Sequence, residues 1–192
     1  MTFARITTLI TPSCLHQVLP QVDSIGLNEQ ELWLLCHSLG GPHCGGSLQP
    51  DQPVTVQMVT DIISWLFNHL DADDASISRL SRVHFHTLTF HVIATADESP
   101  WTSQMAAVCA GARQAVVQAC GGRTGPDYVD MGVSATVLEE FTQGRGGGLV
   151  AAWSHGQVDF HMSPALICRK PLQTVGLGDA ISASGLFFSH YS

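Results

Sequence analysis

An α/β fold, with a largely central sheet flanked by helices, is the class this sequence predicts, and three observations predict it. Short β-rich runs alternate with stretches of helical periodicity along the chain. Hydrophobic residues make up 45% of the 192 residues and charged residues only 12%, so much of the surface must be buried or covered. No interior linker and no internal repeat divides the chain, which reads as one unit over residues 1–192.

The elements follow in order. Residues 21–27 (QVDSIGL) predict a short strand ending in a turn. Asn28 stands where it can cap the next helix, and Glu29 and Glu31 fall in that helix's first turn, where carboxylates suit the helix dipole. The helix runs to about Ser38, and residues 39–53 form a Gly/Pro-rich loop. Residues 54–70 carry Val56, Val59, Ile62, Ile63, Leu66 and Phe67 with the period of an amphipathic helix, ended by Asp71-Ala72-Asp73-Asp74. Residues 83–88 alternate with period two, and residues 89–94 form a second, directly attached β-run. Residues 103–119 are Ala-rich and helical, with Met105, Val108, Ala112 and Val116 on one face. A turn follows at 121–126, residues 133–141 fit either helix or strand, and 143–148 (QGRGGG) is a loop. Residues 149–153 and 158–162 predict a hairpin around His155-Gly156, 165–168 another short strand, and Gly176-Leu177-Gly178 the entry to a last helix at 179–190.

The composition excludes several classes of function. Eight basic residues against sixteen acidic ones give a net charge of -8, which would repel a nucleic-acid backbone. No apolar run approaches the ~18 residues of a membrane span. Residues 1–10 lack the long apolar stretch and cleavage site of a secretory signal. Six scattered cysteines with no CxxC spacing predict reduced, mostly buried thiols.

The strongest motif is Thr174-Val175-Gly176-Leu177-Gly178-Asp179-Ala180-Ile181-Ser182. Two glycines at a helix entry let the backbone turn tightly and let a phosphate approach the exposed N–H groups. A carboxylate beside such a site, Asp179, can take a proton from an attacking hydroxyl, or it can simply cap the helix. No GK[ST] follows, so this is not a Walker A loop. Asn28 and Glu31 are three apart on one helix face, which suits either an ordinary cap or a carboxylate near Mg²⁺. His84 and His86 share a strand face, with His91 following; core or hydrogen-bonding histidines outweigh a metal pair. Cys36, His37, His43 and Cys44 flank a Gly/Pro loop at a spacing no standard zinc site uses. Gly144–Gly148 reads as a connector before a phosphate cradle, and Trp33, Trp65, Trp101 and Trp153 read as core.

Taken together, VDSIGLNEQEL, a distant TVGLGDAIS, RVHFHTL at 82–88 and AAVCAGAR at 106–113 resemble the ADP-dependent glucokinase family of ribokinase-like sugar kinases. The resemblance covers nearly the whole chain. It implies a ribokinase-like, Rossmann-like large-lobe core and transfer of a phosphoryl group from ADP to the 6-hydroxyl of glucose, with AMP as the other product. Matched motif by motif, Asp179 would be the catalytic base and a metal-side group. Val175, Gly176, Leu177 and Gly178 would form the anion hole. Glu31 would organise Mg²⁺, Asn28 would support the metal or a phosphate, and Arg82, His84, His86 and Thr87 would lie on the nucleotide side.

The family's sugar-covering lid and H-x-E motif have no counterpart here, so the chain is expected to match the C-terminal part only, with the lid absent. A non-catalytic, nucleotide-binding product is the rival expectation. Self-association through uncovered apolar surfaces is expected in either case. The resemblance implies an endoplasmic-reticulum or secreted protein, whereas the absence of a signal implies a cytoplasmic one if the chain is made as given.

Overall fold

A computed structural model of the chain describes residues 3–5, 17–44, 54–74, 79–132 and 150–192. Six strands make the main sheet. These are β1 (Phe3–Arg5), β2 (Ser24–Asn28), β3 (Arg82–His86), β4 (Phe90–Ala96), β7 (Ala151–His155) and β8 (Val158–Pro164). Their order is β1-β2-β3-β4-β8-β7. The first three are parallel, with Ile25 opposite Val83 and Asn28 opposite His86. From β3 onward the pairing is antiparallel, with His86 opposite His91 and Ile93 opposite His161. Two small ribbons flank the sheet: β5 (Trp101–Thr102) with β10 (His190–Tyr191), and β6 (Val129–Met131) with β9 (Leu166–Cys168). The longer helices among the described residues are α1 (Glu29–Leu39), α2 (Val56–Asp74), α3 (Gln104–Ala119) and α4 (Leu177–Phe188).

Strand alternation gives the sheet two unlike faces. Ile25, Leu27, Val83, Phe85, Val92, Ala94, Phe160 and Met162 point to one side and merge with Leu32 and Leu35 of α1 and Val59, Ile62, Ile63 and Leu66 of α2 into the main core. The opposite side carries Ser24, Arg82, His84, His86, His91, Thr95 and Ser163, all buried. Helices α3 and α4 cover that polar face.

Several boundaries differ from the sequence-based expectation. Residues 19–21 close a 3-10 turn with proline as its second residue, so β2 begins only at Ser24. Helix α2 continues through Asp74 rather than stopping at residue 70. Helix α4 starts at Leu177, two residues before Asp179, because Gly176 takes the left-handed conformation (φ 76°) that turns the loop into the helix. Met105 is half exposed. The packed stripe of α3 is Gln104, Ala107, Val108, Gly111, Ala112, Ala115, Val116 and Ala119, whose small side chains let α4 come close. Trp101 is buried as expected, and Trp33, Trp65 and Trp153 are half-buried against the main core.

The expectation of reduced thiols is overturned. Cys36 is bonded to Cys44 and Cys120 to Cys168, while Cys109 is free and exposed. The fold brings together cysteines that the sequence keeps 8 and 48 positions apart. This also removes the zinc option at Cys36, His37, His43 and Cys44: the two sulfurs are spent on each other, and His43 Nε2 pairs with Asp61 Oδ2 at 2.9 Å. The segment 133–149, with its ambiguous element and its glycine run, lies outside the described residues.

Candidate active site

The carboxyl edge of the parallel strands is where α/β sheets of this kind take ligands, and two helix N-termini stand there. Helix α1 leaves β2 directly at Asn28. Asn28 Oδ1 accepts the Glu31 N–H at 2.9 Å, and the Asn28 N–H donates back to Glu31 Oε2 at 2.8 Å. This reciprocal capping box satisfies two of the orphan donors of the first turn and fixes the Glu31 carboxylate, which is 3% exposed. Burial pushes the neighbouring Glu29 carboxyl above its ordinary value. At the opposite, amino edge the buried Asp23 pairs with the half-exposed Arg79, whose Nη2 lies 3.0 Å from Asp23 Oδ1.

Helix α4 runs antiparallel to β3. Gly185 lies over the His84 ring, and Ser189, just past the helix, reaches Gln104, which is bonded to Arg82 at the start of β3. The N-terminus of α4 is therefore directed toward the carboxyl ends of β2 and β3, the edge that Asn28 and His86 occupy. Leu177, Gly178 and Asp179 form its first turn, the positive end of the helix dipole. Asp179 is exposed there. The entering loop is strapped to the end of α3. Gln118 and Gln173 both donate to the Val175 carbonyl, at 3.3 and 3.4 Å, Leu172 N–H donates to Ala119 O at 2.7 Å, and the Cys120–Cys168 disulfide sits below. Val175 itself is 81% exposed. The structure thus gathers Asn28 and Glu31 on one helix start and Val175, Gly176, Leu177, Gly178 and Asp179 on another, at one edge of the sheet.

The remaining predicted residues divide. His86 and Thr87 stand at the carboxyl end of β3; the Thr87 hydroxyl accepts the Thr89 and Phe90 N–H groups and shapes the turn into β4. Arg82 and His84 lie deeper, under α3 and α4, with no exposed surface. Arg82 Nε donates to Gln104 Oε1 at 3.2 Å and Nη1 to Ser24 Oγ at 2.9 Å, and its guanidinium lies 5.4 Å from the centre of the Trp101 ring. Burial lowers its pKa to about 9, so it stays charged at neutral pH. His84 is held well below the usual histidine range by burial, with Arg82, His91 and His86 adding to the effect. His91 is lowered to about 3 by burial and by His86. These rings are neutral in the fold, and no group of three metal-ligating side chains stands together among the described residues. A magnesium ion here would need one carboxylate with phosphate and water oxygens, a donor set Glu31 fits.

Residues that sequence reasoning passed over are Gln118, Gln173 and Gln104. None carries a motif, and their roles arise from partners 57, 2 and 22 positions away.

A sheet with two helix N-termini at its carboxyl edge, one followed by an exposed carboxylate, has the geometry in which helix starts can hold an anion. Residues 3–188 match the family described as the ADP-specific phosphofructokinase/glucokinase conserved region, and the chain belongs to that family. It is 44% identical over 185 residues to an ADP-dependent glucokinase of Bos taurus, covering 91% of this chain and 36% of that protein. It is 34% identical over 197 residues to a probable ADP-dependent glucokinase of Caenorhabditis elegans, covering 95% and 39%. Among solved structures, a hypothetical ADP-dependent phosphofructokinase from Pyrococcus horikoshii OT3 superimposes with a TM-score of 0.67 at 21% identity, over 97% of this chain and 41% of that one. An ADP-dependent kinase in complex with fructose-6-phosphate and ADPbetaS does so with a TM-score of 0.67 at 17% identity, over 97% and 44%. The chain spans less than half the length of these relatives.

Proposed function

We propose that the chain is the nucleotide-phosphate and base-bearing part of an ADP-dependent sugar kinase that converts ADP and D-glucose to AMP and glucose 6-phosphate. The observation that carries this reading is the first turn of α4: a left-handed Gly176 that opens the helix and the exposed Asp179 carboxylate, at the sheet edge where α1 also begins. In this reading Asp179 takes the proton from the sugar 6-hydroxyl. The hydroxyl oxygen attacks the β-phosphorus of ADP, the bond from that phosphorus to the bridging oxygen breaks, and AMP leaves. The N–H groups of residues 176–179 hold the transferred phosphoryl group, whose charge must be met by fixed donors. Glu31, held by Asn28, orders the water around Mg²⁺, and Asn28 supports it. When bound, the ion neutralises phosphate charge. The names of the relatives support glucose over fructose 6-phosphate, since both glucokinase sequences resemble this chain more than the phosphofructokinase does.

A second reading is a nucleotide-binding product without turnover, favoured by the short span of the relatives that the chain matches. Positioning a sugar hydroxyl and excluding water are tasks for a covering lid. The two readings separate in one assay: AMP and glucose 6-phosphate formation from ADP, glucose and Mg²⁺ by this chain and by a chain extended upstream to the relatives' length. The expected result is turnover by the extended chain and none at a useful rate by residues 1–192. Equal rates would show the lid to be dispensable, and no turnover by either would leave the binding-only reading.

A further inference from the structure

We propose that Arg82 is a positioning residue for this reaction: through Gln104 and Ser189 it fixes how far α4 reaches along the sheet, and so where the Gly176–Asp179 turn stands beyond β3. The inference rests on the functional reading above for its consequence, but not for its geometry. The contact of α4 with β3 is mostly polar. Gly185 sits on the His84 ring, and Arg82 Nη2, both His84 ring nitrogens and Ser182 Oγ are buried there without hydrogen-bond partners. Apolar contact is non-directional and tolerates sliding, so it does not set the axial position of such a helix.

Directional bonds at the far end do. The Ser189 hydroxyl lies 3.1 Å from Gln104 Oε1 and 2.8 Å from the Gly185 carbonyl, at the last turn of α4. The same Gln104 Oε1 accepts from Arg82 Nε, and Gln104 Nε2 donates to Thr102 O at 2.8 Å. Thr102 and Trp101 pair with His190 and Tyr191, and the Trp101 ring stacks under the Arg82 guanidinium. One arginine thus ties β2, β3, the start of α3 and the tail of α4 into a single block. Its partners Gln104 Oε1 and Ser24 Oγ are neutral oxygens, which match its planar fork rather than cancel its charge. A lysine would keep the charge and lose the fork.

The test compares Gln104→Leu, Gln104→Glu and Arg82→Lys. Leucine removes the shared acceptor, whereas glutamate still accepts from both Arg82 and Ser189. Amide hydrogen exchange is read in α4 and β4 of the full chain. In the upstream-extended chain, kcat and the KM for ADP are measured. Gln104→Leu and Arg82→Lys should speed exchange across α4 while β4 stays protected, and should lower kcat by about tenfold with KM within about twofold, because a displaced base costs rate more than binding. Gln104→Glu keeps the acceptor but loses the donor to Thr102 O, and should recover both readouts in part. Exchange rising equally in β4, exchange unchanged in α4, or a kcat loss that glutamate does not rescue even in part would each overturn the proposal. Asp179→Asn run alongside isolates the functional reading: turnover there would sink the general-base assignment, while the exchange result would still report on the anchoring.

Discussion

Asp179 and Glu31 both stand in the first turn of a helix, where a carboxylate already suits the helix dipole, and substitution can part that contribution from the proposed chemistry. Asparagine at 179 keeps the size and the helix-start chemistry but cannot accept the proton. Asp179→Asn should lower turnover by orders of magnitude and leave ADP affinity nearly intact, measured by initial rates beside calorimetric titration; retained turnover would remove Asp179 as the base. Glutamine at 31 still completes a capping box, so the helix start survives while the organising charge is lost. Glu31→Gln should therefore raise the Mg²⁺ concentration for half-maximal rate with little change in melting temperature. An unchanged Mg²⁺ dependence would leave Glu31 a cap only. Both residues were legible because their signals are local: N-x-x-E at a strand end and G-x-G-D at a helix start. Arg82 was not. Its RVHFHTL setting suggested the nucleotide side, but its hydrogen-bond partners Ser24 and Gln104 lie 58 and 22 positions away and carry no pattern of their own.

At the scale of elements, the two helices on the polar face are held close by glycines rather than by large apolar side chains. A Cβ at Gly185 would stand 2.5 Å from the His84 ring, and one at Gly111 would stand 3.1 Å from both that ring and the Ile181 carbonyl. The His84 ring is fully buried, so it has little room to yield. Gly185→Ala should cost about 1–3 kcal/mol, the usual range for overpacking, read from the urea midpoint. A neutral result would mean that α4 is free to shift. Period predicted α2, whose pattern is set by one dominant burial face, while capping signals predicted α1. On α3 it placed Val108, Ala112 and Val116 on the packed face but added the half-exposed Met105, because alanines and glycine line the rest of the contact and a hydropathy period ranks Met105 above them. The disulfides escaped for a related reason: cysteine spacing in the chain says nothing of which loops the fold lays side by side.

For the whole molecule, the unlike faces of the sheet make stability depend on pH. His84 and His91 lie buried with pKa values below that of an unfolded histidine, near 6.5. Below about pH 6.5 the unfolded chain therefore binds more protons, and stability falls as pH falls, down to about 3 for His91. Arg82 and His86 share that face and add to the cost of charging it. His161 on β8 is also lowered by burial, an effect opposed by Asp159. Each fully neutral histidine contributes a slope of ~1.4 kcal/mol per pH unit, so two should remove ~4 kcal/mol between pH 7 and pH 5. Thermal melts across that range should show it, and His91→Gln should flatten the curve by about one proton. A melting temperature level from pH 7 to pH 5 would contradict the buried, neutral state of these rings. Leu88, Val175 and Phe187 are each at least 80% exposed.

The parallel pairing of β2 with β3 has a consequence for the chain as it leaves the ribosome. Ser24 and the Arg82 it bonds are 58 positions apart, and no hairpin can bring them together early. At about 5–20 residues per second, β2 waits roughly 3–12 s for its partner. During that interval α1 and α2 are already made, yet the strands Val83–Phe85 and Val92–Ala94 that bury their apolar stripe are not. Helices α1 and α2 thus hold their apolar stripe uncovered for that interval, and the antiparallel hairpin β3–β4, closed locally at Thr87, is what covers it.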